Sequence, residues 1–392
     1  MTYVLRPYQQ QAVDAGVAYF KDKSQKKPVL MVLPTAAGKS LVLSEIARTV
    51  DAPLIVFQPT REILIQNYNK MMDYQIQGVT IYSASMKQKK IGNITLATIG
   101  SVYKKPEDFQ MFKYIIIDEC DVVSAKGGMY KKFIDAVGEK LIGLTATPYR
   151  MSTDGYGGTI MKFLTRTNPR VFSRVIHVTQ VKDLYTQGYL AKTEYFSING
   201  FTRSEIKLNS TGADYDEPSE RAYYDKTSFD KRLIKVVSRL VEIKATPILV
   251  FVKFVREAEE LAKSLGDIAS FVHGEMDTKE RDKRGKAYKD GTIKVMVNVG
   301  IFSVGYDHPQ IQAVVYGRPT RSLRLWYQFG GRGLRIHPNK EKVMIIDLCG
   351  NYEIFGKIED LQLVERGGDN LWCVMSKGRQ LTNVYLDQIM KD

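Results

Sequence analysis

The chain has 392 residues, of which 44% are hydrophobic and 26% charged, as in ordinary globular proteins. This length exceeds that of one ordinary domain and suits two. Lysine and arginine number 57 against 43 acidic residues, and the net charge of +14 favours a polyanionic partner, although a merely soluble basic protein would show the same balance. No apolar run could span a bilayer and no signal-peptide pattern opens the chain, so we expect a cytoplasmic protein without a membrane partner.

Cysteines and histidines give no sign of a metal site. Cys120, Cys349 and Cys373 stand far apart, without the paired spacing of zinc ligands or of a disulfide framework. The histidines show no ligand spacing either. The sequence therefore predicts neither a structural zinc ion nor a disulfide.

Short apolar runs alternate with amphipathic ones along the first 150 residues. The predicted strands are Val29–Leu33, Leu54–Gln58, Val79–Tyr82, Ile94–Ala97, Tyr114–Asp118 and Leu141–Leu144. Helices are predicted at Ser40–Val50 and Arg61–Tyr74. Because strands that are apolar throughout are covered on both faces, the alternation indicates a parallel α/β sheet wound by helices.

The same alternation resumes near residue 231 and predicts a second α/β domain. Its predicted helices are Lys231–Ile243, Arg256–Leu265 and Thr278–Lys289. Its predicted strands are Ile248–Phe251, Ile268–Val272, Val295–Asn298, Ala313–Tyr316 and Val343–Asp347.

The stretch between the two patterns is predicted to be a linker with some structure of its own. It includes a polar segment, Asn209–Pro218, which we expect to be an exposed loop. A strand and a helix within Val175–Leu190 would complete the first domain. We therefore divide the chain into a first domain at 1–165, a linker or insertion at 166–230, a second domain at 231–350 and an extension at 351–392.

The stretch Val29–Ser40 carries the most chemical information. An apolar run leads into a tight turn and then into Gly38, Lys39 and Ser40 at the start of a predicted helix. In a phosphate loop, backbone N–H groups wrap the phosphates and the helix N-terminus adds partial positive charge. Lys39 would then reach the β- and γ-phosphates of ATP, and the Ser40 hydroxyl would bind Mg²⁺. The general pattern has a glycine where this chain has Leu33, and a chance Gly-Lys-Ser at a helix start is the alternative.

A predicted strand ends in carboxylates about 80 residues after the phosphate loop. Asp118 is placed to hold Mg²⁺, and Glu119 is a candidate general base toward an attacking water. Another strand is followed by Thr145 and Thr147, whose hydroxyls would report the state of the phosphates. Simple capping of that strand end is the alternative.

The order of these motifs resembles that of superfamily-two helicases over about residues 3 to 350. The resemblance implies two tandem RecA-like parallel-sheet domains with ATP in the cleft between them. From the adenine-reading motif, the phosphate loop and the acidic motif, it implies these nucleotide-binding residues: Arg6, Gln9, Thr35, Ala36, Ala37, Gly38, Lys39, Ser40 and Asp118. Gly305 and Asp307 join them, because they lie in a motif that resembles the one contacting both nucleotide and nucleic acid.

Two further motifs of the first domain resemble those that grip the nucleic-acid backbone. The residues that this resemblance implies are Thr60, Arg61, Thr98, Gly100 and Ser101. Such contacts position a strand without reading its sequence. Thr145 and Thr147 match the family's coupling motif.

The segment Gln328–Arg335 resembles the arginine-finger motif. Arg332 and Arg335 are three residues apart and would share one face of a helix, so we predict that one or both neutralise charge on the γ-phosphate. Gln328 would orient the attacking water. A solvated face is the alternative, but three glycines in the segment count against it.

Features outside the shared motifs resemble DNA translocases of the branch-migration, repair and restriction-motor type. Tyr149 and Arg150 follow the coupling motif as in that group, and the compact chain resembles phage-type recombination and replication helicases. We predict a monomeric ATP-dependent DNA helicase or translocase that acts on duplex or branched DNA, with replication or recombination proteins as further partners. The alternatives are an RNA helicase and the motor subunit or ATP-switched binding module of a larger complex.

Overall fold

A computed structural model describes residues 4–138, 140–154, 158–300, 308–368 and 370–390. The chain divides into two compact units. The first comprises Met1–Arg150, Lys162–Gln180 and Leu363–Val374, and the second Met151–Met161, Val181–Gln362 and Met375–Asp392. The sequence predicted four domains or segments, each continuous along the chain. Each of the two units is instead built from three separate segments, so the division does not test those four boundaries, which stay a prediction.

Within the described ranges there are twenty strands and thirteen α-helices. The strands are β1 Val29–Val32, β2 Leu54–Phe57, β3 Val79–Ser83, β4 Gln88–Lys89, β5 Ile94–Ala97, β6 Tyr114–Asp118, β7 Lys140–Thr145, β8 Tyr149–Thr153, β9 Thr159–Phe163, β10 Arg174–Val178, β11 Lys192–Ser197, β12 Ile248–Val252, β13 Ala269–His273, β14 Val295–Val299, β15 Ala313–Gly317, β16 Lys342–Asp347, β17 Gln362–Arg366, β18 Leu371–Ser376, β19 Arg379–Gln380 and β20 Val384–Tyr385. The helices are α1 Pro7–Lys21, α2 Lys39–Thr49, α3 Arg61–Asp73, α4 Ile99–Val102, α5 Met129–Val137, α6 Val181–Thr186, α7 Glu217–Thr227, α8 Phe229–Glu242, α9 Val255–Leu265, α10 Thr278–Lys289, α11 Leu323–Gly331, α12 Asn351–Phe355 and α13 Leu386–Ile389.

The sheet of the first unit has the strand order β10-β1-β7-β6-β2-β5-β3-β4. Every neighbouring pair is parallel except β3 and β4, which form an antiparallel hairpin at one edge. All residues of β1, β2, β5 and β7 are buried. The predicted parallel sheet is therefore confirmed, and strands buried along their whole length are typical of parallel sheets that are covered on both faces.

The helices of the first unit pack closely on the sheet and on one another. Gly16 of α1 lies so near Ile46 of α2 that an added Cβ would approach the Ile46 Cδ1 to 2.7 Å. Proline at the first turn of α1 suits a helix start, since its missing N–H has no partner there anyway. This packing holds α2, and with it the loop before Lys39, against the carboxyl edge of the sheet.

The second unit has a sheet of six parallel strands in the order β11-β16-β15-β12-β14-β13. The predicted strands and helices of this half are confirmed within a few residues of their ends. The sheet core continues into the stacked rings of Tyr224 and Phe229, whose centroids lie 4.3 Å apart. The second half of the chain thus repeats the architecture of the first.

The stretch predicted as a linker contributes regular elements to both sheets. Its strand β10 pairs with β1 and completes the first sheet, as predicted. The helix predicted to follow it is α6, but α6 belongs to the second unit, and β11 pairs with β16. The prediction that both elements complete the first domain is therefore wrong for the helix, because the chain leaves the first sheet directly after β10.

The polar segment Asn209–Pro218 is not simply the exposed loop that the sequence predicted. Tyr215 is 5% exposed and forms an isolated bridge with Leu208. The Asp214 carboxylate lies 3.3 Å from the guanidinium of Arg318, which is itself buried. Polar composition predicted a loop, but one aromatic ring and one ion pair are enough to tie this loop to the second unit.

Residues 351–392, which show no sequence pattern, supply α12, α13 and short strands. Strands β17, β18 and β19 form a small sheet, and β20 joins another with β9 and β8. Among the helices that the structure describes, none combines the length and the apolar character needed to cross a membrane.

Candidate active site

Three of the predicted motifs follow neighbouring strands of the first sheet. The phosphate loop follows β1, the acidic motif ends β6, and the threonine motif ends β7, which lies between β1 and β6. Because the strands are parallel, all three motifs lie at the same carboxyl edge. This is the edge at which open α/β sheets bind their ligands.

The loop before α2 has a backbone that only certain residues adopt readily. Gly38 caps the helix in the left-handed conformation, with φ 79° and ψ 38°. This positive φ favours glycine, and a Cβ here would also displace the end of the Gln9 side chain, whose Nε2 would lie 2.5 Å away. Ala36 also has a positive φ of 67°, which is unfavourable for a residue with a Cβ.

Leu33 stands where the general phosphate-loop pattern has a glycine. Its side chain is fully buried, and its N–H donates to the Thr145 carbonyl at 3.0 Å. The pairing of β1 with β7 thus continues through Leu33, and the loop bends only after it. The missing glycine therefore reflects a longer strand.

The residues before α1 hold the loop from outside. The Tyr8 hydroxyl and the Gln9 side-chain amide each donate to the Ala37 carbonyl at 3.0 Å. The Gln9 Oε1 accepts from the Arg6 N–H at 2.9 Å. The sequence singled out Arg6 and Gln9 but missed Tyr8, and the adenine-reading role of the first two stays a prediction.

Lys39 and Glu119 form an ion pair at the centre of the candidate site. Burial disfavours the charged form of Lys39, but the carboxylates of Glu119, Asp118 and Asp121 outweigh that effect and raise its pKa. Burial raises the pKa of Asp118 to about 6. The positive charge of Lys39 lowers this pKa, and the negative charge of Glu119 raises it further. The site therefore holds several charges in a volume with little water, where each is sensitive to a newly bound ion.

Asn67 of α3 connects the groups around this ion pair. Its Oδ1 accepts from the Ser40 hydroxyl at 2.5 Å, and its Nδ2 donates to Gln58 at 2.9 Å and to Asp118 at 3.5 Å. Asn67 is 3% exposed and was not predicted as a site residue. The signal was present, because Asn67 shares the buried face of α3 with Leu64 and Met71, where an amide side chain needs hydrogen-bond partners.

The threonine motif at the end of β7 is fully buried. The Thr145 hydroxyl lies 3.5 Å from the Asp121 carboxylate and accepts from the Thr147 N–H at 3.0 Å. The second bond caps the strand end, and the first connects β7 to the turn that carries the acidic motif. Thr145 therefore both caps the end of β7 and connects it to the acidic motif. That these threonines couple the state of the phosphates to other parts of the protein stays a prediction.

The predicted nucleic-acid contacts follow β2 and β5, the next strands along the same edge. Thr60 caps α3 by accepting from the Ile63 N–H at 3.3 Å, and Arg61 begins that helix. The hydroxyls of Thr98 and Ser101 lie 2.9 Å apart. Among the described residues, apart from the glycine's chain neighbours and its own helix backbone, no atom lies within 4 Å of a Cβ built on Gly100, so the backbone there is open to a close approach.

The arginine-finger prediction needs one correction. Helix α11 ends at Gly331 and Arg332 is its C-cap, so Arg332 and Arg335 do not share a helical face. The glycines end the helix and permit tight packing: a Cβ on Gly330 would lie 2.1 Å from Ile358, and one on Gly333 would lie 2.6 Å from Val343. These glycines are therefore explained by packing within the second unit, and the role of the arginines stays a prediction.

Of the other site residues predicted in the second half of the chain, one is buried and two lie outside the described residues. Gln328 is 7% exposed, and its Oε1 has no hydrogen-bond partner within the parts of the chain that the structure describes. Gly305 and Asp307 lie outside the described residues. Trp326 is fully buried, as expected of a core residue.

The acidic groups suit a metal that is shared with a phosphate. In the described ranges, no group of three or more His, Cys, Asp or Glu side chains could hold a metal ion. Mg²⁺ usually keeps several waters and takes only one or two carboxylates together with substrate phosphates. Ser40 and Asp118, joined through Asn67, provide the hydroxyl and the carboxylate for such a site.

Comparison with known proteins agrees with the fold. The family model described as the type III restriction enzyme res subunit matches residues 2–150, and the helicase conserved C-terminal domain matches residues 231–337. The structure of the ATP-dependent type ISP restriction-modification enzyme LlaBIII bound to DNA superposes with a TM-score of 0.61 at 16% identity, over 88% of this chain and 28% of that one. The fold is thus that of two tandem RecA-like domains.

Phage proteins are among the curated relatives. A 51.5 kDa protein of a Lactococcus phage is 26% identical over 327 residues, which is 82% of this chain and 66% of the relative. The ATP-dependent DNA helicase uvsW of Enterobacteria phage T4 is 22% identical over 360 residues, which is 87% of this chain and 67% of that protein. This chain spans 52–66% of the length of the Lactococcus phage protein and of two other curated relatives.

Proposed function

Because the chain belongs to superfamily two of the helicases, we propose that it is an ATP-dependent motor that moves on or remodels DNA. The observation that carries this proposal is the convergence of Lys39, Ser40, Asp118 and Glu119 at one sheet edge, beside a loop shaped to wrap phosphates. Phosphoryl transfer requires positioning and charge neutralisation more than covalent chemistry, and these groups supply both.

The Lys39–Glu119 ion pair suggests how ATP binding starts the reaction. The Lys39 ammonium binds the β- and γ-phosphates and exchanges the Glu119 carboxylate for phosphate oxygens. Glu119 is then released to accept a proton from the attacking water. Because the two side chains neutralise each other in the ion pair, displacement by phosphate would make the base and the phosphate-binding cation active together.

Ser40 and Asp118 are proposed to hold Mg²⁺, with Asn67 fixing the orientation of both side chains. When bound, Mg²⁺ neutralises charge on the β- and γ-phosphate oxygens. Arg6 and Gln9 are proposed to recognise adenine. From the second unit, we propose Arg332 and Arg335 as cations toward the γ-phosphate and Gln328 as the group that orients water, while Gly305 and Asp307 are proposed nucleotide contacts.

Thr60, Arg61, Thr98, Gly100 and Ser101 are proposed to bind the nucleic-acid backbone. The name of the T4 relative supports DNA as the polymer, and the net charge of +14 suits either nucleic acid. The two phage relatives support a phage-encoded protein that acts in a bacterial cytoplasm, on replicating, recombining or damaged DNA.

The restriction-enzyme family model favours a second candidate, the motor subunit of a larger nucleic-acid complex. In that case another chain would supply the outcome, such as cleavage, while this chain would supply movement. Hydrolysis and DNA stimulation would be the same in both candidates. Displacement of a DNA strand by the isolated chain would favour the self-sufficient helicase.

The first test is ATP hydrolysis with no polymer, single-stranded DNA, duplex DNA, branched DNA and RNA. We expect strong stimulation by DNA, and a loss of about 10²-fold or more in the Lys39→Ala and Arg332→Ala variants, because each removes a cation that stabilises transition-state charge. Stimulation by RNA alone would replace the DNA motor by an RNA remodeller. Hydrolysis that no polymer stimulates would overturn the motor and leave an ATP-switched binding module.

A further inference from the structure

The antiparallel hairpin at the edge of the first sheet carries a group of exposed lysines. We call residues 83–90, from the end of β3 through β4, the lysine hairpin. Ser83 pairs with Gln88 and Tyr82 with Lys89, and Lys87 makes the turn with φ 53°. Lys87, Lys89 and Lys90 are all exposed. Because the turn follows the carboxyl end of β3, these lysines lie at the edge that carries the predicted site.

The charge of this region is not balanced by acidic residues. No aspartate or glutamate occurs from residue 74 to residue 106, although the whole chain has 43 of them in 392 residues. None of the three lysines has a carboxylate partner within the described parts of the chain. By contrast, Lys131 pairs with Asp135 at the next cluster of lysines. The lysine hairpin therefore presents uncompensated positive charge.

The base of the lysine hairpin is hydrogen-bonded to the proposed nucleic-acid contacts. The Ala84 N–H donates to the Ser101 hydroxyl at 2.9 Å, and the Thr98 hydroxyl lies 3.4 Å from that of Ser83. The Ser83 and Ser85 hydroxyls lie 3.0 Å apart. A row of hydroxyl groups thus leads from the end of β5 to the lysines. Ser83 within this row is buried, whereas Thr98 and Ser101 are partly exposed and Ser85 is exposed, so one ligand can contact these three and the lysines.

We propose that the lysine hairpin binds the phosphate backbone of DNA and extends the contact surface beyond Thr98 and Ser101. The proposal rests on the proposed function, because it assigns the same polymer to a further surface. Exposed ammonium groups without partners suit phosphates, which they bind without reading base sequence. Hydroxyls beside them donate to phosphate oxygens and fix the position of the strand.

The sheet geometry sets where along the DNA this contact falls. Strand β4 lies two strands beyond β5, which is about 10 Å at the usual strand spacing. Duplex DNA rises by about 3.4 Å per base pair, so the lysine hairpin contacts phosphates about three base pairs from those at Thr98. It also lies on the side of β5 away from β1 and β6, so its contacts do not overlap the candidate nucleotide site.

The test is a charge-removing triple variant, Lys87→Gln with Lys89→Gln and Lys90→Gln. The matched control replaces three exposed lysines, Lys21, Lys23 and Lys26, by glutamine. These lie just before β1, at the opposite, amino edge of the sheet. At that edge the Lys140 ammonium, at the start of β7, donates to the Tyr19 carbonyl at 2.8 Å and takes no part in the candidate site. Both variants lose the same net charge, so only the place of the charge differs.

Binding of a short duplex is measured by fluorescence anisotropy between about 50 and 200 mM salt, the range over which phosphate contacts change affinity strongly. For the hairpin variant we expect the slope of log affinity against log salt to become less steep by about 2 to 3, and the affinity to fall about tenfold or more. The control variant should keep the wild-type slope, because charges beyond about 10 Å are screened. Hydrolysis without polymer and the melting temperature should match wild type in both variants.

The outcomes separate this inference from the proposed function. Equal changes in the two variants, or no change in slope for the hairpin variant, would overturn the inference even if DNA stimulates hydrolysis normally. A selective loss of RNA binding would overturn the assignment to DNA. Failure of DNA to stimulate wild-type hydrolysis would overturn the motor, while the binding experiment would still decide whether the lysine hairpin contacts DNA.

Discussion

The carboxyl edge of the first sheet has two halves that use charge in opposite ways. At β1, β7 and β6, the charged groups are largely buried and neutralise one another, as Lys39 and Glu119 do. At β2, β5, β3 and β4, the predicted contacts are mostly hydroxyls together with Arg61, and the exposed lysines of the lysine hairpin have no carboxylate partner among the described residues. One half is thus arranged for chemistry on a small ion, and the other is suited to a long polyanion.

This difference follows from what each ligand demands. A phosphoryl group in reaction needs cations, a base and donors fixed at short range in a site with little water, where electrostatic interactions are strong. Those charges must be compensated internally while the site has no ligand, since an unpaired buried charge is very unfavourable. A nucleic-acid backbone instead brings many phosphates, and exposed lysines gain affinity by displacing its counterions.

The largest expected effect comes from removing one charge of the buried half. Glu119→Gln keeps the shape of the side chain but removes the proposed base, so we expect hydrolysis to fall by about 10²- to 10⁴-fold. ATP should bind at least as tightly, because Lys39 loses the carboxylate that competes with phosphate. Single-turnover hydrolysis and binding of a fluorescent ATP analogue measure the two effects separately.

Glu45→Gln is the matched control for that variant. Glu45 lies on α2, in the same unit, and pairs with Arg48 away from the carboxyl edge. Its loss should leave hydrolysis within about twofold of wild type, because Glu45 lies six residues, or about 9 Å, along the helix from Lys39. If Glu119→Gln hydrolyses ATP as fast as Glu45→Gln does, Glu119 is not the base.

A smaller effect is expected from the amide that connects the buried half. Asn67→Ala removes the hydrogen bonds to Ser40 and Asp118, and loss of an outer partner of metal ligands typically costs about 10- to 100-fold in metal affinity or activity. The Mg²⁺ concentration for half-maximal hydrolysis should therefore rise. Asn69→Ala, on the exposed side of the same helix, is the control. An unchanged Mg²⁺ requirement in Asn67→Ala would show that Asn67 only packs.

The two halves also differ in how far the sequence predicts them. Phosphate chemistry requires fixed residue types at fixed spacings, so Lys39, Ser40, Asp118 and Glu119 could be selected before the structure placed them together. Asn67 was missed because its contacts depend on how α3 packs beside β1 and β6, which no local spacing encodes. Its sequence signal is only a polar side chain at a buried helical position.

Prediction from sequence also failed where tertiary packing decides the backbone. The three-residue spacing of Arg332 and Arg335 suggested that both lie on one helical face. The helix instead ends at Gly331, where Gly330 packs closely against Ile358. In the exposed half, Lys87–Lys90 was one of several lysine runs in the sequence. The hydrogen bonds of Ala84 and Ser83 to the β5 motif, which the sequence does not show, place this run beside the predicted nucleic-acid contacts.

The smallest effect should come from one uncharged contact of the exposed half. Thr98→Val preserves the shape of the side chain but removes a hydroxyl, so DNA affinity should fall by about fivefold, as for the loss of one hydrogen bond of about 1 kcal/mol. The slope of log affinity against log salt should stay unchanged, because no cation is lost. Thr49→Val, at the end of α2, is the control and should bind DNA like wild type. A changed slope in Thr98→Val would mean that this residue acts by positioning the lysine hairpin, and the hydroxyl row would then be a support for the cations and not itself a contact to phosphate.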